Sequence, residues 1–338
     1  ERAGETAQAG WQTAAEHWAG ATHVASFALS TAKKLGPATP ALTGVNEAGR
    51  ALLGQDLLPL WSPDLPSGGR SRRRPRPNRE PVAVYVPACV NAMFGPEPRD
   101  RGRLYVKHDV KATTVSGVQS AFEFLCAWAG VALRVPAAID SLCCGTPWSS
   151  KGMTKGYERM AATVLPILRS ASDNGRLPVV CDASSCTEGL QRMVEHGNLG
   201  DPGNPDDSLT VVDCIEFVAD YILPRLPPLP KVASITLHPT CSSTQIGLAP
   251  YLVRIAEAVA DTVHVPVDAG CCAFAGDRGL LHPELTHAAT RPEAAEVAAA
   301  NSTVHASCNR TCEIGLTRAT GQPYRHLLEV LADQLHGA

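Results

Sequence analysis

The sequence predicts an α/β fold of two tandem, pseudo-symmetric α/β domains with small parallel sheets, preceded by a helical N-terminal segment. The first observation is an alternation. From Val82 onward, short β-rich runs take turns with stretches of helical periodicity, the pattern of parallel strands joined by crossover helices. The second is a repeat. Val82-Ala83-Val84-Tyr85-Val86-Pro87-Ala88-Cys89, Cys143-Cys144-Gly145 and Ser185-Cys186-Thr187-Glu188-Gly189-Leu190 are matched by Ser234-Ile235-Thr236-Leu237-His238-Pro239-Thr240-Cys241, Cys271-Cys272-Ala273 and Thr311-Cys312-Glu313-Ile314-Gly315-Leu316. The third is length, since 338 residues suit two domains at the usual ~100 to 200 residues each, every one able to bury its own core.

Residues 1–60 are Ala-rich, and Trp11, Trp18, Val24, Phe27 and Leu29 are spaced as a helical face that stops at Gly36-Pro37, which reads as a helical lead-in. Residues 61–80 form an Arg/Pro-rich linker. Six arginines between Ser67 and Arg79 repel one another, Pro and Gly forbid regular structure, and no aromatics interleave the run as nucleic-acid stacking would need, so these arginines are expected to be solvated. The first domain, 81–228, carries strands at 82–88, 131–135, 178–182 and 210–213, with helices at 112–129, 155–172, 186–196 and 214–224. The second, 229–338, carries strands at 233–238, 263–267 and 303–306, with helices at 249–260, 284–300 and 323–335. The interval from the upstream cysteine to the Cys-Cys pair is longer in the first copy, which an extra helix or loop around 96–120 would absorb.

With 30 basic and 33 acidic residues the formal charge is −3, so charge gives no argument for nucleic acid as a partner. Neither an uncharged apolar run long enough to span a bilayer nor a secretion signal is visible, which makes the cytoplasm the expected compartment, with a peripheral position at the inner face of the membrane as the other option. In that reducing compartment, 12 cysteines read as metal ligands or redox groups rather than as structural disulfides. The chain starts at Glu1 rather than Met, for which trimming and a fragment or subunit of a longer polypeptide are the two readings.

The cysteines fall where strands end. At the carboxyl edge of an open parallel sheet loops gather, and thiolates from distant loops can meet on one metal group. Cys89, Cys143, Cys144 and Cys186 form the first candidate set and Cys241, Cys271, Cys272 and Cys312 the second, while Cys181 and Cys308, out of register with each other by one residue, are optional fifth ligands. Adjacent cysteines are awkward for a relaxed disulfide but can straddle a multi-iron cluster. Zinc at one or both sites and inert buried thiols are the competing readings, the first weakened because structural zinc sites favour tight C-x(2 to 4)-C knuckles.

Cys143-Cys144-Gly145, with its upstream and downstream cysteines, resembles the CCG cysteine-rich domain, duplicated in heterodisulfide reductases and in the iron–sulfur subunits of glycolate oxidase and lactate-utilisation enzymes. Over about residues 80–338, Cys143-Cys144-Gly145-Thr146-Pro147-Trp148-Ser149-Ser150-Lys151-Gly152 and Asn309-Arg310-Thr311-Cys312-Glu313-Ile314-Gly315-Leu316 are similar to the C-terminal region of bacterial FAD-dependent D-lactate dehydrogenases of the cytochrome type. The resemblance implies an electron-relay module holding one [4Fe-4S]-type cluster per repeat. It implies as partners an FAD-binding dehydrogenase domain and a ferredoxin-like domain, fused or separate, and a quinone or cytochrome as acceptor. FAD is expected only on the upstream part, so this chain by itself should not oxidise D-lactate. A thiol-disulfide reductase module and a non-catalytic zinc scaffold remain as alternatives. Ala273 stands where the family pattern has Gly, and neither copy ends in the C-x2-C of the heterodisulfide form, which leaves five-thiolate binding open.

Lys151 and Arg278 follow the two Cys-Cys pairs at similar intervals, and a cation there would offset cluster charge. Gly145 would serve a turn or the close approach of backbone to cluster sulfurs, and Asp182 would cap the following helix. His238 reads as a packed strand-end residue before it reads as a ligand, and His282, His287 and His305 lack ligand spacing. Cys126 and Cys214 sit on apolar helical faces and read as core. No G-x-G-x-x-G, P-loop or G-x-S-x-G motif appears, so nucleotide and hydrolase chemistry are not supported.

Overall fold

The computed structural model describes residues 4–35, 39–56, 58–77, 79–96, 116–198 and 209–338. Two four-stranded, all-parallel sheets carry the fold. In the first, β1 (Ala83–Val86), β2 (Leu133–Arg134), β3 (Val179–Cys181) and β4 (Val211–Asp213) lie in the order β2-β1-β3-β4. In the second, β5 (Val232–Leu237), β6 (Ala260–His264), β7 (Val304–Ser307) and β8 (Tyr324–His326) lie in the equivalent order β6-β5-β7-β8. The repeat seen in the cysteines is therefore a repeat of topology. In each sheet the first strand of the half sits beside the third, so chain order reverses between them, and the crevice outside their carboxyl ends is where an open sheet binds ligands.

The central strands of the first sheet are apolar on both faces because helices cover both. β1 is buried throughout, as a strand in the middle of a parallel sheet must be. On one face, Ala83, Tyr85 and Val180 join Phe122 and Leu125 of α5 (Val118–Trp128). The same cluster continues into Ile235, Leu237 and Ala306 of the second sheet, Leu252 of α11 (Ala249–Val259) and Leu331 of α15 (Leu327–His336). This core is shared by both sheets, where the sequence suggests a separate one for each. Cys126 and Cys214 lie in it, fully buried, and burial holds both thiols above their ordinary value. On the other face of the first sheet, Val84, Val86 and Val179 pack with Met160 and Leu168 of α7 (Thr154–Ala171) and Leu190 of α8 (Ser184–Asn198).

The other face of the second sheet is polar. Strand register puts Thr236, His305 and Tyr324 in one row, and Ser307 and His326 in the next, with His238 extending that row as its N–H donates to Ala306. All are buried. The corresponding rows of the first sheet are Val84, Val179 and Val211, then Val86, Cys181 and Asp213.

Three departures from the sequence reading have local causes. β6 begins at Ala260, earlier than expected, and ends before Pro266, which has no N–H to give a ladder; Asp261 and Thr262 are exposed, which obscures an edge strand. β8 falls inside the segment read as helix 323–335, being three residues long and followed at once by α15, whose first turn His326 caps by accepting the Leu328 N–H at 3.2 Å. The stretch 214–224 is a short α9 (Cys214–Phe217) followed by a π turn and a 3-10 turn that contains Pro224. The segment proposed around 96–120 lies largely outside the described residues.

The lead-in is helical: α1 (Glu5–Glu16), α2 (Trp18–Lys34) and α3 (Thr39–Leu53). The apolar stripe is broken, since Val24 and Phe27 are exposed while Trp18 is buried. Trp11 and Trp18 pack on Trp148, just after the first Cys-Cys pair, with ring centroids 6.4 and 4.8 Å away. Gly36-Pro37 falls outside the described residues.

Candidate metal centres

Each set of thiols is assembled by the same pieces of structure. After β1 the chain enters α4 (Cys89–Met93), whose first residue is Cys89; after β3 it enters α8, whose third residue is Cys186; the loop before α6 (Thr146–Ser149) delivers Cys143 and Cys144. In the second half Cys241 opens α10 (Cys241–Gln245), Cys312 lies in the first turn of α14 (Arg310–Thr320), and Cys271 and Cys272 lie in the loop between β6 and α12 (Arg278–Leu281). The glycine of the [ST]-C-x-x-G-L signature sits three residues after the cysteine, hence one turn on and facing the Cys-Cys loop. Any Cβ on Gly189 would lie 3.2 Å from Cys144 Cβ, and on Gly315 3.8 Å from Cys272 Cβ.

In the first set, Cys89 Sγ lies 3.8 Å from Cys143 Sγ. Thiol contacts then run from Cys143 to Cys144, from Cys144 to Cys186 and from Cys186 to Cys181. All five residues are buried. Cys144 is held well below the ordinary thiol value, first by hydrogen bonding from Cys143 and then from Cys186, with Thr146 Oγ1 3.2 Å from its sulfur. Cys89 is also lowered, first by Cys143 and with help from the Arg72 charge. Cys143 is pushed up, chiefly by burial, and Cys186 chiefly by its bond to Cys144.

In the second set, Cys272 Sγ and Cys312 Sγ stand 3.0 Å apart, and Cys241 hydrogen bonds to Cys271. That bond brings Cys271 down to about 5, with the Ala273 N–H 3.4 Å from its sulfur and the His238 and Arg278 charges adding to the effect. Cys241 is raised, first by Cys271, and its field and that of Cys272 reach the same group of sulfurs. Here the set opens outward, because Cys241 and Cys271 are exposed.

The two optional ligands part company. Cys181 ends β3 and touches Cys186. Cys308 instead faces the seam between the halves, 3.7 Å from Ser184 Oγ and 3.8 Å from Thr240 Oγ1, and burial raises it to about 11. Matching Cys89 to Cys241 and Cys186 to Cys312 aligns Cys181 with Ser307 and Cys308 with Asp182. The one-residue offset is thus a real change of position in the fold. Asp182 accepts from the Tyr85 hydroxyl and the Ala88 N–H, both at 2.6 Å, so it ties the Cys89 turn to β3 instead of capping α8.

The expected cations are rearranged. Lys151 Nζ pairs with Asp277 Oδ1 at 2.9 Å and stands 5.5 Å over the Trp11 ring, joining the two Cys-Cys loops. Arg278 lends its charge to Cys271. The cation beside the first set is Arg72, which the sequence assigns to a solvated linker. It is buried, donating from Nη1 to the carbonyls of Pro87 at 3.2 Å and Leu142 at 3.0 Å, the residues that lead into Cys89 and Cys143. Its neighbours Arg70, Arg74 and Arg76 are exposed as expected. Sequence reasoning missed Arg72 because an arginine in a Pro/Arg run carries no burial signal.

His238 is fully buried, with Nδ1 2.8 and 3.0 Å from the two carboxylate oxygens of Glu293 on α13 (Pro283–Ala300). His282 binds Asp56 and Glu284, and His305 stacks on Tyr324. In the Asn309-Arg310-Thr311 stretch, Asn309 Nδ2 donates to Ser185 Oγ at 2.9 Å and Arg310 to the Gly95 carbonyl at 2.5 Å, so this motif stitches the second set to the first.

Soft, deprotonatable sulfurs suit zinc or iron–sulfur groups over hard cations. Among the described residues no three His, Cys, Asp or Glu side chains are placed to hold one metal ion between them. Beside Cys89, Trp18 Nε1 and Arg72 Nη2 are buried donors with no hydrogen-bond partner among the described residues, and a negatively charged sulfur-rich group would accept from both. No described helix is long and apolar enough to cross a membrane.

No protein-family model matches the chain. It is similar to a subunit of the anaerobic glycerol-3-phosphate dehydrogenase of Escherichia coli (strain K12) and to its counterpart in Escherichia coli O157:H7, in each case 22% identical over 202 residues, 57% of this chain. The aligned stretch covers 49% of those proteins, so the chain spans about half the length of the curated relatives it matches.

Proposed function

We propose that the chain is the iron–sulfur electron-transfer portion of a flavin-dependent dehydrogenase, with D-lactate or a related 2-hydroxy acid as substrate and a quinone or cytochrome as acceptor. The observation that carries this is convergence: in each half, sulfurs from three separate loops meet at the carboxyl edge of the sheet, beside the reversal of strand order. Cys89, Cys143, Cys144 and Cys186, with Cys181 against them, would hold one group, and Cys241, Cys271, Cys272 and Cys312 the other. When bound, such groups accept and release single electrons. The protein's part is to keep the first set dry, to supply the thiolates and to fix their loops through Arg72, Asp182 and the two signature glycines.

The similarity to part of a dehydrogenase supports the redox reading. Glycerol 3-phosphate, named for that relative, and a 2-hydroxy acid share one reaction, oxidation of a secondary alcohol carbon. A flavin domain and a ferredoxin-like domain on the same or another chain would deliver the electrons. The test is anaerobic titration with a reduced flavin dehydrogenase of this class: the chain should be reduced and should then reduce a quinone analogue. No uptake of electrons contradicts the reading.

Exposure of Cys241 and Cys271 favours one second reading, a thiol-disulfide reductase in which an external sulfur reaches the second set. A disulfide substrate that perturbs the electron paramagnetic resonance signal of that set alone would decide for it. A colourless protein holding only zinc would decide for a docking scaffold.

A further inference from the structure

We propose that Arg72 and Trp18 donate hydrogen bonds to the group held by the first thiol set and so raise its reduction potential relative to the second, an inference that rests on the iron–sulfur reading above. Arg72 stands beneath the set. Its side chain is 3% exposed, Nη1 is committed to the Pro87 and Leu142 carbonyls, and Nε stands 3.7 Å from the half-exposed Asp140. The clamp fixes the guanidinium plane between the two cysteine loops and leaves Nη2 buried without a partner among the described residues. Trp18 reaches the same place from α2. Its ring packs 4.8 Å from Trp148 in the apolar cluster that contains Cys89 and Cys143, and its Nε1 is likewise buried and unpartnered among the described residues.

Two buried, unpartnered donors beside the loops that carry Cys89 and Cys143 are rare unless something accepts from them. N–H groups and a fixed positive charge stabilise the more negative, reduced form of a thiolate-bound group and so raise its potential. The second set differs: two of its cysteines face solvent, and Arg278, which lends its charge to Cys271, opens α12 just after its Cys-Cys loop. A segment that reads as lead-in and linker thus brings buried donors to the first centre, whereas at the second it brings apolar side chains, Leu65 with Leu29 and Trp61, into the cluster of Cys272 and Cys312.

The experiment uses the full chain purified anaerobically, with iron and acid-labile sulfide assayed and the midpoints of the two centres followed separately by electron paramagnetic resonance. Trp18→Phe removes the indole N–H and keeps an aromatic ring; Arg72→Gln removes the charge; Arg72→Lys keeps the charge without the fork. In Trp18→Phe and Arg72→Gln the first centre's midpoint should move to more negative potential while the second stays in place, with Arg72→Lys intermediate. An exchangeable proton coupled to the reduced first centre in double-resonance spectra should disappear in Trp18→Phe. That variant carries the test alone if Arg72→Gln does not fold. Full iron and sulfide with unmoved midpoints and an unchanged proton coupling overturns the inference while leaving the iron–sulfur reading standing; wild-type protein without iron overturns both.

Discussion

Gly189 lies so close against Cys144 that a Cβ on it would stand 3.0 Å from the Cys144 carbonyl oxygen and 2.5 Å from Thr146 Oγ1. Gly315, its counterpart, is looser, with the Thr286 methyl at 3.2 Å as the nearest obstacle. Gly189→Ala should therefore displace the first Cys-Cys loop and destabilise the protein by about 1–3 kcal/mol, while Gly315→Ala should cost about 1 kcal/mol or less. Denaturant midpoints of the two variants check the ranking, and metal content per chain should fall only in the first.

Gly145 and Ala273 hold matching places after the two Cys-Cys pairs, and both have positive φ, 83° and 53°. Glycine takes that conformation without strain; alanine does so at roughly 1 kcal/mol, part of which is offset because it has less freedom to lose on folding. Ala273→Gly is expected to leave stability unchanged or raise it by up to about 1 kcal/mol. Gly145→Ala should be strongly destabilising, since its Cβ would also meet the Tyr157 ring at 2.6 Å and Met193 Cε at 2.8 Å. Thermal unfolding of the two variants distinguishes them.

Burial holds His326 down to about 3, against an ordinary value near 6.5. The unfolded chain takes up this proton as pH falls through about 6.5, and the folded chain resists until about 3. Stability is thus fully present above about 6.5 and declines below it, at up to about 1.4 kcal/mol per pH unit. Asp182 and Asp213, raised by burial to about 6 and about 7, act in the opposite sense over the upper part of that window, because the folded form takes up their protons first. The clean readout is a difference. His326→Asn keeps a capping side chain at the start of α15 and removes the titration, so its stability should fall less between about pH 6.5 and about pH 5 than that of the wild type. Equal slopes in urea melts would contradict this.

Seven of the eight strands, the doubled framework and the pairing of cysteines across distant loops were legible because each leaves a local mark: an apolar run, a Cys-Cys step, a glycine one turn after a cysteine. What was not legible depends on packing between segments remote in sequence. Arg72 looks solvated until Pro87 and Leu142 are seen around it. Cys181 and Cys308 look equivalent until strand register places one against Cys186 and the other at the seam with Ser184. His238 needed Glu293, 55 residues away, to be recognised as a buried pair, and β8 was too short for periodicity to register.

The central claim, two thiolate-held iron–sulfur groups in one chain, is tested most directly by iron and acid-labile sulfide per chain in anaerobically purified protein, measured for the wild type and for Cys144→Ala and Cys272→Ala. Iron and sulfide are expected in equal amounts, with visible absorbance that bleaches on reduction, and each variant should lose about half the iron with the other centre's signal retained. Protein that carries zinc alone, or no metal with all thiols titratable after unfolding, would contradict it.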